Sequence, residues 1–156
     1  FFNVYGPNEH HKGRMASVLL HKFNEVMRGE PARLFRSGRP GIADGEQKRD
    51  FVHVDDCISV ILWLLDNPGV SGLFNLGSGR ARSFLDLARA LFAALGRPES
   101  IEFIDMPADL RGRYQYFTEA PLDRLRTASY TGQMTPLEEG VRRTVQDVLA
   151  TDDPYR

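Results

Sequence analysis

The chain has 156 residues, 42% hydrophobic and 26% charged, with a formal charge of −1. That length supports one domain with a sizeable core, and a near-neutral balance argues against recruitment of nucleic acid or an anionic membrane by the overall field. The longest apolar stretch, Cys57 to Leu65 broken only by Ser59, falls far short of the roughly 20 residues that a membrane span needs.

Phe1 to Tyr5 reads as a short apolar strand closed by the turn pair Gly6-Pro7. A soluble domain seldom begins inside a buried strand, so the expectation is a chain whose upstream part is missing. A polar loop, Asn8 to Arg14, leads into a helix expected over Met15–Arg28. Its apolar face is Met15, Val18, Leu19, Val26 and Met27, and Gly29 stops it. Arg33 to Phe35 can form a strand. Ser37 to Gln47 carries four glycines or prolines with Asp44 and suits a mobile loop.

Asp50 to Val54 alternates like a strand, after which Asp55 is placed to cap a helix ending near Asn67. That helix is apolar on nearly every side, so it is expected between layers or against a partner surface. Cys57 lies within it, has no second cysteine to pair with, and reads as a small buried hydrophobe. One lone cysteine fits a reducing compartment, hence the cytoplasm. Leu73 to Leu76 reads as a strand entering Gly77-Ser78-Gly79. Ser83 with Asp86 has the spacing of a capping box for a helix through Leu95, ended by Gly96. Ile101 to Ile104 is a further strand and Pro121 to Ala128 a short helix. Thr135-Pro136-Leu137-Glu138 combines an N-cap, an early proline and an acidic N3 for a last helix through Leu149. Strands and helices alternate, which predicts an α/β fold.

The chemistry-bearing segments are few. Gly77-Ser78-Gly79 follows a strand, but position 82 is Arg where a dinucleotide turn needs its third glycine, so a tight turn is the expectation. No tyrosine is followed four residues later by lysine, so no Tyr-x-x-x-Lys pair is present. His10, His11 and His21 lack the carboxylates or cysteines that would complete a zinc set, and no metal is expected. Histidine and lysine just before a helix N-terminus suit an anion better. Lys48-Arg49 puts a basic pair at a strand entry, and arginine suits bidentate phosphate contact. Arg111 to Phe117 mixes guanidinium groups with aromatic rings, a pattern for stacking a sugar or base beside a phosphate; the neutral charge argues against nucleic acid.

Taken together these segments resemble the bacterial ADP-glycero-manno-heptose 6-epimerases, which are extended short-chain dehydrogenases. The residues that carry the resemblance are Phe2-Asn3-Val4-Tyr5-Gly6-Pro7, His11-Lys12-Gly13 with Met15-Ala16-Ser17-Val18, Lys48-Arg49-Asp50-Phe51-Val52, Ser71 to Gly77, and Gly112-Arg113-Tyr114-Gln115 with Phe117-Thr118. Asn-Val-Tyr-Gly-Pro and Arg-Asp-Phe are shared across the superfamily. His-Lys-Gly-x-Met-Ala-Ser and Gly-Arg-Tyr-Gln are more specific to the heptose epimerases.

The resemblance implies the carboxy-terminal part of a Rossmann-type fold. Residues 1–156 would be mainly its substrate-binding domain with the closing elements of the Rossmann domain, the amino-terminal NADP-binding domain lying upstream. It implies oxidation of an ADP-sugar at C6 to a ketone and return of hydride to the opposite face. Lys12 would be one acid/base group, and a tyrosine outside these residues the other. A free lysine amine, with a reference pKa of about 10.4, needs desolvation and nearby positive charge to act as a base near neutrality. The resemblance also places Asn3, Arg14, His21, Phe35, Arg36, Ser37, Gly38, Arg49 and Tyr114 at the substrate, and Val4 and Lys12 at the cofactor, NADP. It implies a homo-oligomer, a pentamer, in the cytoplasm with no membrane partner. Two alternatives stand beside it: another nucleotide-sugar epimerase or dehydratase, and a non-catalytic sugar-nucleotide-binding module. An upstream Gly-x-x-Gly-x-x-Gly turn with a Tyr-x-x-x-Lys pair separates enzyme from module.

Overall fold

A computed structural model describes residues 1–151 and Asp153. Two small sheets organise the chain. In the first, β1 (Asn3–Tyr5) pairs in parallel with β3 (Lys48–His53), with Val4 opposite Val52. The other edge of β3 pairs antiparallel with β4 (Ala81–Ser83), Arg49 opposite Arg82. In the second sheet, β2 (Ala32–Phe35) pairs in parallel with β5 (Ile101–Ile104). Parallel pairs need helical crossovers, and helices supply them here, as the α/β pattern in the sequence predicts.

The first crossover contains α1 (Val18–Met27). Its start lies later than the hydrophobic spacing suggests: His10–Met15 forms a 3-10 helix instead, and the Ser17 hydroxyl caps α1 by accepting from the Leu20 N–H. Met15 therefore falls outside the helix and is 85% exposed, not part of the apolar face. After β3 comes α2 (Val54–Asp66), capped by the His53 ring accepting from the Asp55 N–H at 3.3 Å, so Asp55 is the capped residue and not the cap. α2 buries Cys57 and Val60 but leaves Ile58, Ile61, Leu62 and Leu65 exposed. Burial pushes the Cys57 thiol up to about 11, with Asp56 adding to the effect, which suits a packing role.

α3 (Phe84–Leu95) begins with the expected capping box between Ser83 and Asp86 and ends at Gly96, whose φ of 62° is the left-handed C-cap that glycine adopts without strain. Three short pieces follow: α4 (Ala108–Arg111), α5 (Asp123–Thr127) and α6 (Leu137–Thr144), the last continuing as a π-turn over Val145–Leu149. Thr135 does not cap α6. Its N–H and hydroxyl both donate to the Asp56 carboxylate, at 2.9 and 2.8 Å, tying the start of α6 to α2. Leu73 to Leu76 forms no ladder strand; its one inter-segment backbone bond is the Phe2 N–H donating to the Leu76 carbonyl.

Two apolar cores result. One joins α1, α3 and α6 around Leu19, Phe23, Leu87, Leu91 and Val141. The other joins β3, α2 and α5 around Val52, Cys57, Val60, Leu125 and Tyr130. No helix among the described residues is long and apolar enough to cross a membrane.

Candidate functional site

Successive residues of a strand point to opposite faces of the sheet, and on β3 this divides two charges. Asp50 turns inward and is fully buried. Its carboxylate accepts from the Ser78 N–H and hydroxyl, both at 2.6 Å, and from the N–H groups of Gly79 and Ala120, both at 2.9 Å. The Gly77-Ser78-Gly79 turn is therefore folded around an internal carboxylate. Two of the N–H groups that could have cradled a phosphate are already in use. Glycine is required at position 77 because a Cβ there would lie 2.6 Å from the Ala120 Cβ and from an Asp50 carboxylate oxygen.

Arg49 points the other way, into a cleft of about 610 Å³ between α1, β2 and the start of α3. It is only 8% exposed. The guanidinium carbon sits 5.1 Å from the Tyr114 ring centre and 5.6 Å from that of Phe84, and one guanidinium N–H donates to the Lys48 carbonyl at 2.8 Å. Desolvation lowers the Arg49 pKa, opposed by the Tyr114 phenol. No carboxylate among the described residues pairs with it. The other cations on the cleft wall are paired: Lys22 with Glu25 at 2.9 Å, Arg33 with Glu25 and Glu30, and Arg28 with Glu30 at 2.8 Å. The cleft thus holds one desolvated cation without a counter-ion, which suits a phosphate or another anion.

His21 and Phe35 line the same cleft. Phe35 meets the Tyr114 ring edge-on at 6.2 Å, and Tyr114 meets Tyr116 edge-on at 5.6 Å. Burial raises the Tyr114 pKa, with Arg49 pulling the other way, so the phenol is neutral around pH 7. Its hydroxyl makes no hydrogen bond with the described residues.

Beside the cleft, sharing Val18 with it, is a recess of about 210 Å³ lined by Asn3, Val4 and Lys12. Lys12 stands on the 3-10 helix, its side chain 43% exposed and its ammonium 3.3 Å from the Glu9 carboxylate. The sequence suggests desolvation and a neighbouring cation for this amine; the structure gives it an open position and an anionic neighbour.

Arg14, Arg36, Ser37 and Gly38 line neither space. Arg14 is exposed on the 3-10 helix. Arg36 faces Asp105 at 3.8 Å. Ser37 is buried, its N–H donating to Asp44 and its carbonyl accepting from the Tyr116 hydroxyl at 2.6 Å. The segment expected to be a mobile loop is thus pinned by side-chain bonds at both ends, Gln47 donating to the Phe35 carbonyl. Sequence reading missed Phe84 and Glu9. Phe84 is hidden by its role as the first residue of α3. Glu9 could have been found from its three-residue spacing to Lys12 on a helical turn. Among the described residues no three metal-binding side chains converge.

Residues 1–77 match the model of the NAD dependent epimerase/dehydratase family. An ADP-L-glycero-D-manno-heptose-6-epimerase of Nitratidesulfovibrio vulgaris is 52% identical over 99% of this chain and 48% of that protein. One from Fusobacterium nucleatum is 48% identical over 99% of the chain and 48% of its own length. The crystal structure of the Helicobacter pylori ADP-L-glycero-D-manno-heptose-6-epimerase superposes with a TM-score of 0.76 at 28% identity, covering 96% of this chain and 43% of that one. The chain spans about half the length of the curated relatives it matches. In sequence and in fold it is therefore a relative of the ADP-L-glycero-D-manno-heptose-6-epimerases, with the α/β architecture of the extended short-chain dehydrogenases.

Proposed function

We propose that residues 1–156 are the substrate-binding half, with the closing elements of the Rossmann domain, of an NADP-dependent enzyme. That enzyme interconverts the D-glycero and L-glycero forms of ADP-manno-heptose at C6. The observation that carries this reading is the buried Arg49, stacked on two rings and lacking a carboxylate, in a cleft that also holds His21, Phe35 and Tyr114. A diphosphate supplies the missing counter-ion, and aromatic edges suit a base or sugar beside it. The neighbouring recess, with the apolar Val4 and the cation of Lys12, fits the nicotinamide end of the cofactor. The Gly77-Ser78-Gly79 turn is closed on Asp50, so in this reading the pyrophosphate is held by other residues of the whole enzyme. By the same resemblance the enzyme is a cytoplasmic homo-oligomer, a pentamer.

A bound nicotinamide supplies hydride chemistry at the sugar's C6. The residues of this chain position and protonate. Arg49 and Tyr114 hold the ADP-sugar with His21 and Phe35 beside them; the resemblance alone adds Asn3, from the neighbouring recess, and Arg14, Arg36, Ser37 and Gly38, which line neither space. Lys12 Nζ takes or gives the C6 hydroxyl proton on one face, while a tyrosine outside these residues serves the other face. The chain alone, without that tyrosine and a pyrophosphate turn, turns over no substrate and binds no NADP. Saturable uptake at low micromolar NADP in an isothermal titration would overturn this division.

The decisive experiment is Lys12→Ala in the full-length enzyme with ADP-heptose as substrate. General acid/base groups contribute about a hundredfold to ten-thousandfold in rate. Turnover is expected to fall by that range while substrate affinity changes far less. Turnover within a few fold, with affinity lost, would make Lys12 a binding residue.

A further inference from the structure

Glu9 immediately precedes the 3-10 helix that carries Lys12, and it is only 5% exposed. One carboxylate oxygen accepts the Ser17 N–H at 3.2 Å, at the point where α1 begins, and the same oxygen receives the Lys12 ammonium at 3.3 Å. The other oxygen is buried and has no hydrogen-bond partner. An under-satisfied buried carboxylate is costly and holds any cation that reaches it. Lys12 itself is partly exposed and wall-lining in the recess that also contains Asn3 and Val4. A flexible four-carbon side chain in such a position has many rotamers to lose. The anchored carboxylate removes that freedom, because Glu9 is itself fixed by the backbone of α1.

We propose that Glu9 is a positioning residue for Lys12: it fixes the ammonium at the recess. This rests on the epimerase reading above. In the direction in which Lys12 acts as acid, hydride adds to the C6 carbonyl carbon, the C–O π pair moves to oxygen, and that oxygen takes a proton from Lys12 Nζ. The products are the secondary alcohol and a neutral amine beside Glu9. In the reverse direction the amine takes the hydroxyl proton as hydride leaves, which restores the ion pair. Glu9 contacts no reacting atom in either direction.

A double-mutant cycle in the full-length enzyme tests this, using Glu9→Gln, Lys12→Ala and the pair together. Glutamine keeps the carbonyl oxygen that accepts from Ser17 and removes the charge. Glu9→Gln is expected to lower kcat by about tenfold to a hundredfold, a share of what the lysine contributes. Affinity for the ADP-sugar is expected to stay within about twofold, since the effect lies on the chemical step. Against the residual turnover of Lys12→Ala, the second substitution is expected to cost nothing more, and Glu9→Asp to recover part of the loss. Additive losses in the cycle, or a loss of affinity with kcat intact, would overturn the proposal as a structural effect. Acylation of Lys12 followed by mass spectrometry gives a readout independent of turnover: Glu9→Gln is expected to speed labelling several fold, and an unchanged rate would overturn the ion pair itself. Absence of turnover in the unsubstituted enzyme would instead overturn the epimerase reading and the positioning role with it, whatever the labelling shows.

Discussion

Arg49 and Asp50 are neighbours on one strand, both buried, and their surroundings are opposite. Asp50 meets four donors from two distant segments, so its charge is satisfied from within the chain. Arg49 meets two aromatic faces and one carbonyl and is left without an anion. A buried charge that is fully bonded closes a fold, whereas one that is desolvated yet uncompensated costs stability unless a ligand completes it. The pair thus separates architecture from binding at a single register step. In an alignment of motifs the two look alike, since Arg49-Asp50-Phe51 is one short block.

The comparison breaks most sharply at Asp50. Replacing Asp50 by Ala leaves the N–H groups of Ser78, Gly79 and Ala120 without their acceptor, while the Ser78 hydroxyl keeps the Arg80 carbonyl at 3.1 Å. Ser78 and Gly79 lie near solvent, so water relieves part of the loss, and the full sum of four charged hydrogen bonds is not reached. A destabilisation of about 3–5 kcal/mol is expected, a large share of the roughly 5–15 kcal/mol that holds a domain together. Urea unfolding of the full-length enzyme with and without the substitution measures it. A change below about 1 kcal/mol would mean that the glycine turn is held by its own backbone and that Asp50 is incidental.

Arg49→Ala sharpens the same contrast from the other side. It removes the desolvated cation but no internal ion pair, so the loss is expected in ligand affinity more than in folding. Truncating a buried, charge-paired contact costs about 2–5 kcal/mol of binding, which puts the dissociation constant for the ADP-sugar well over tenfold higher. NADP affinity is expected to change little. Paired titrations with the two ligands decide between the assignments: a variant that loses NADP and keeps the sugar nucleotide would move Arg49 to the cofactor side.

How far the sequence reveals this division depends on the range of the interactions involved. The capping box at Ser83, the C-cap at Gly96 and the strand Ile101–Ile104 are local signals, written within a few residues, and the structure has them where the sequence puts them. The apolar spacing of Met15 puts the start of α1 too early, because the Ser17 hydroxyl is the better cap. Thr135 looked like a cap by the same local logic, but Asp56, 79 residues away, takes both of its donors. Long-range partners of this kind leave no trace in a window of ten residues. The same holds for the site. That Arg49, Phe35, His21 and Tyr114 share one cleft depends on α1, β2 and β3 meeting in space, and only the resemblance to a family groups them in the sequence. The resemblance also grouped Arg14, Arg36, Ser37 and Gly38 with them, and these four line neither the cleft nor the recess.

Tyr114 offers the finest test of the contrast, because its ring and its hydroxyl belong to different sides of it. The ring is part of the architecture: it packs edge-on against Phe35 and Tyr116 and lies under the Arg49 guanidinium. Tyr114→Phe keeps all three contacts and the position of Arg49, so the fold and the stacked cation are expected to be unchanged in a thermal melt. The hydroxyl makes no bond within the described residues, so its removal orphans no internal partner. What is lost is one hydrogen bond to a bound ADP-sugar, worth about 0.5–1.5 kcal/mol net, or roughly a twofold to tenfold rise in the dissociation constant. The effect is thus smaller than that of Arg49→Ala and in the same direction. Combined with Arg49→Ala it is expected to fall short of additive, because the guanidinium carbon lies 5.1 Å from the centre of the ring that carries the hydroxyl and both groups meet one ligand. An affinity that does not move when the hydroxyl is removed would assign Tyr114 wholly to the architecture, as the wall that holds Arg49 in place.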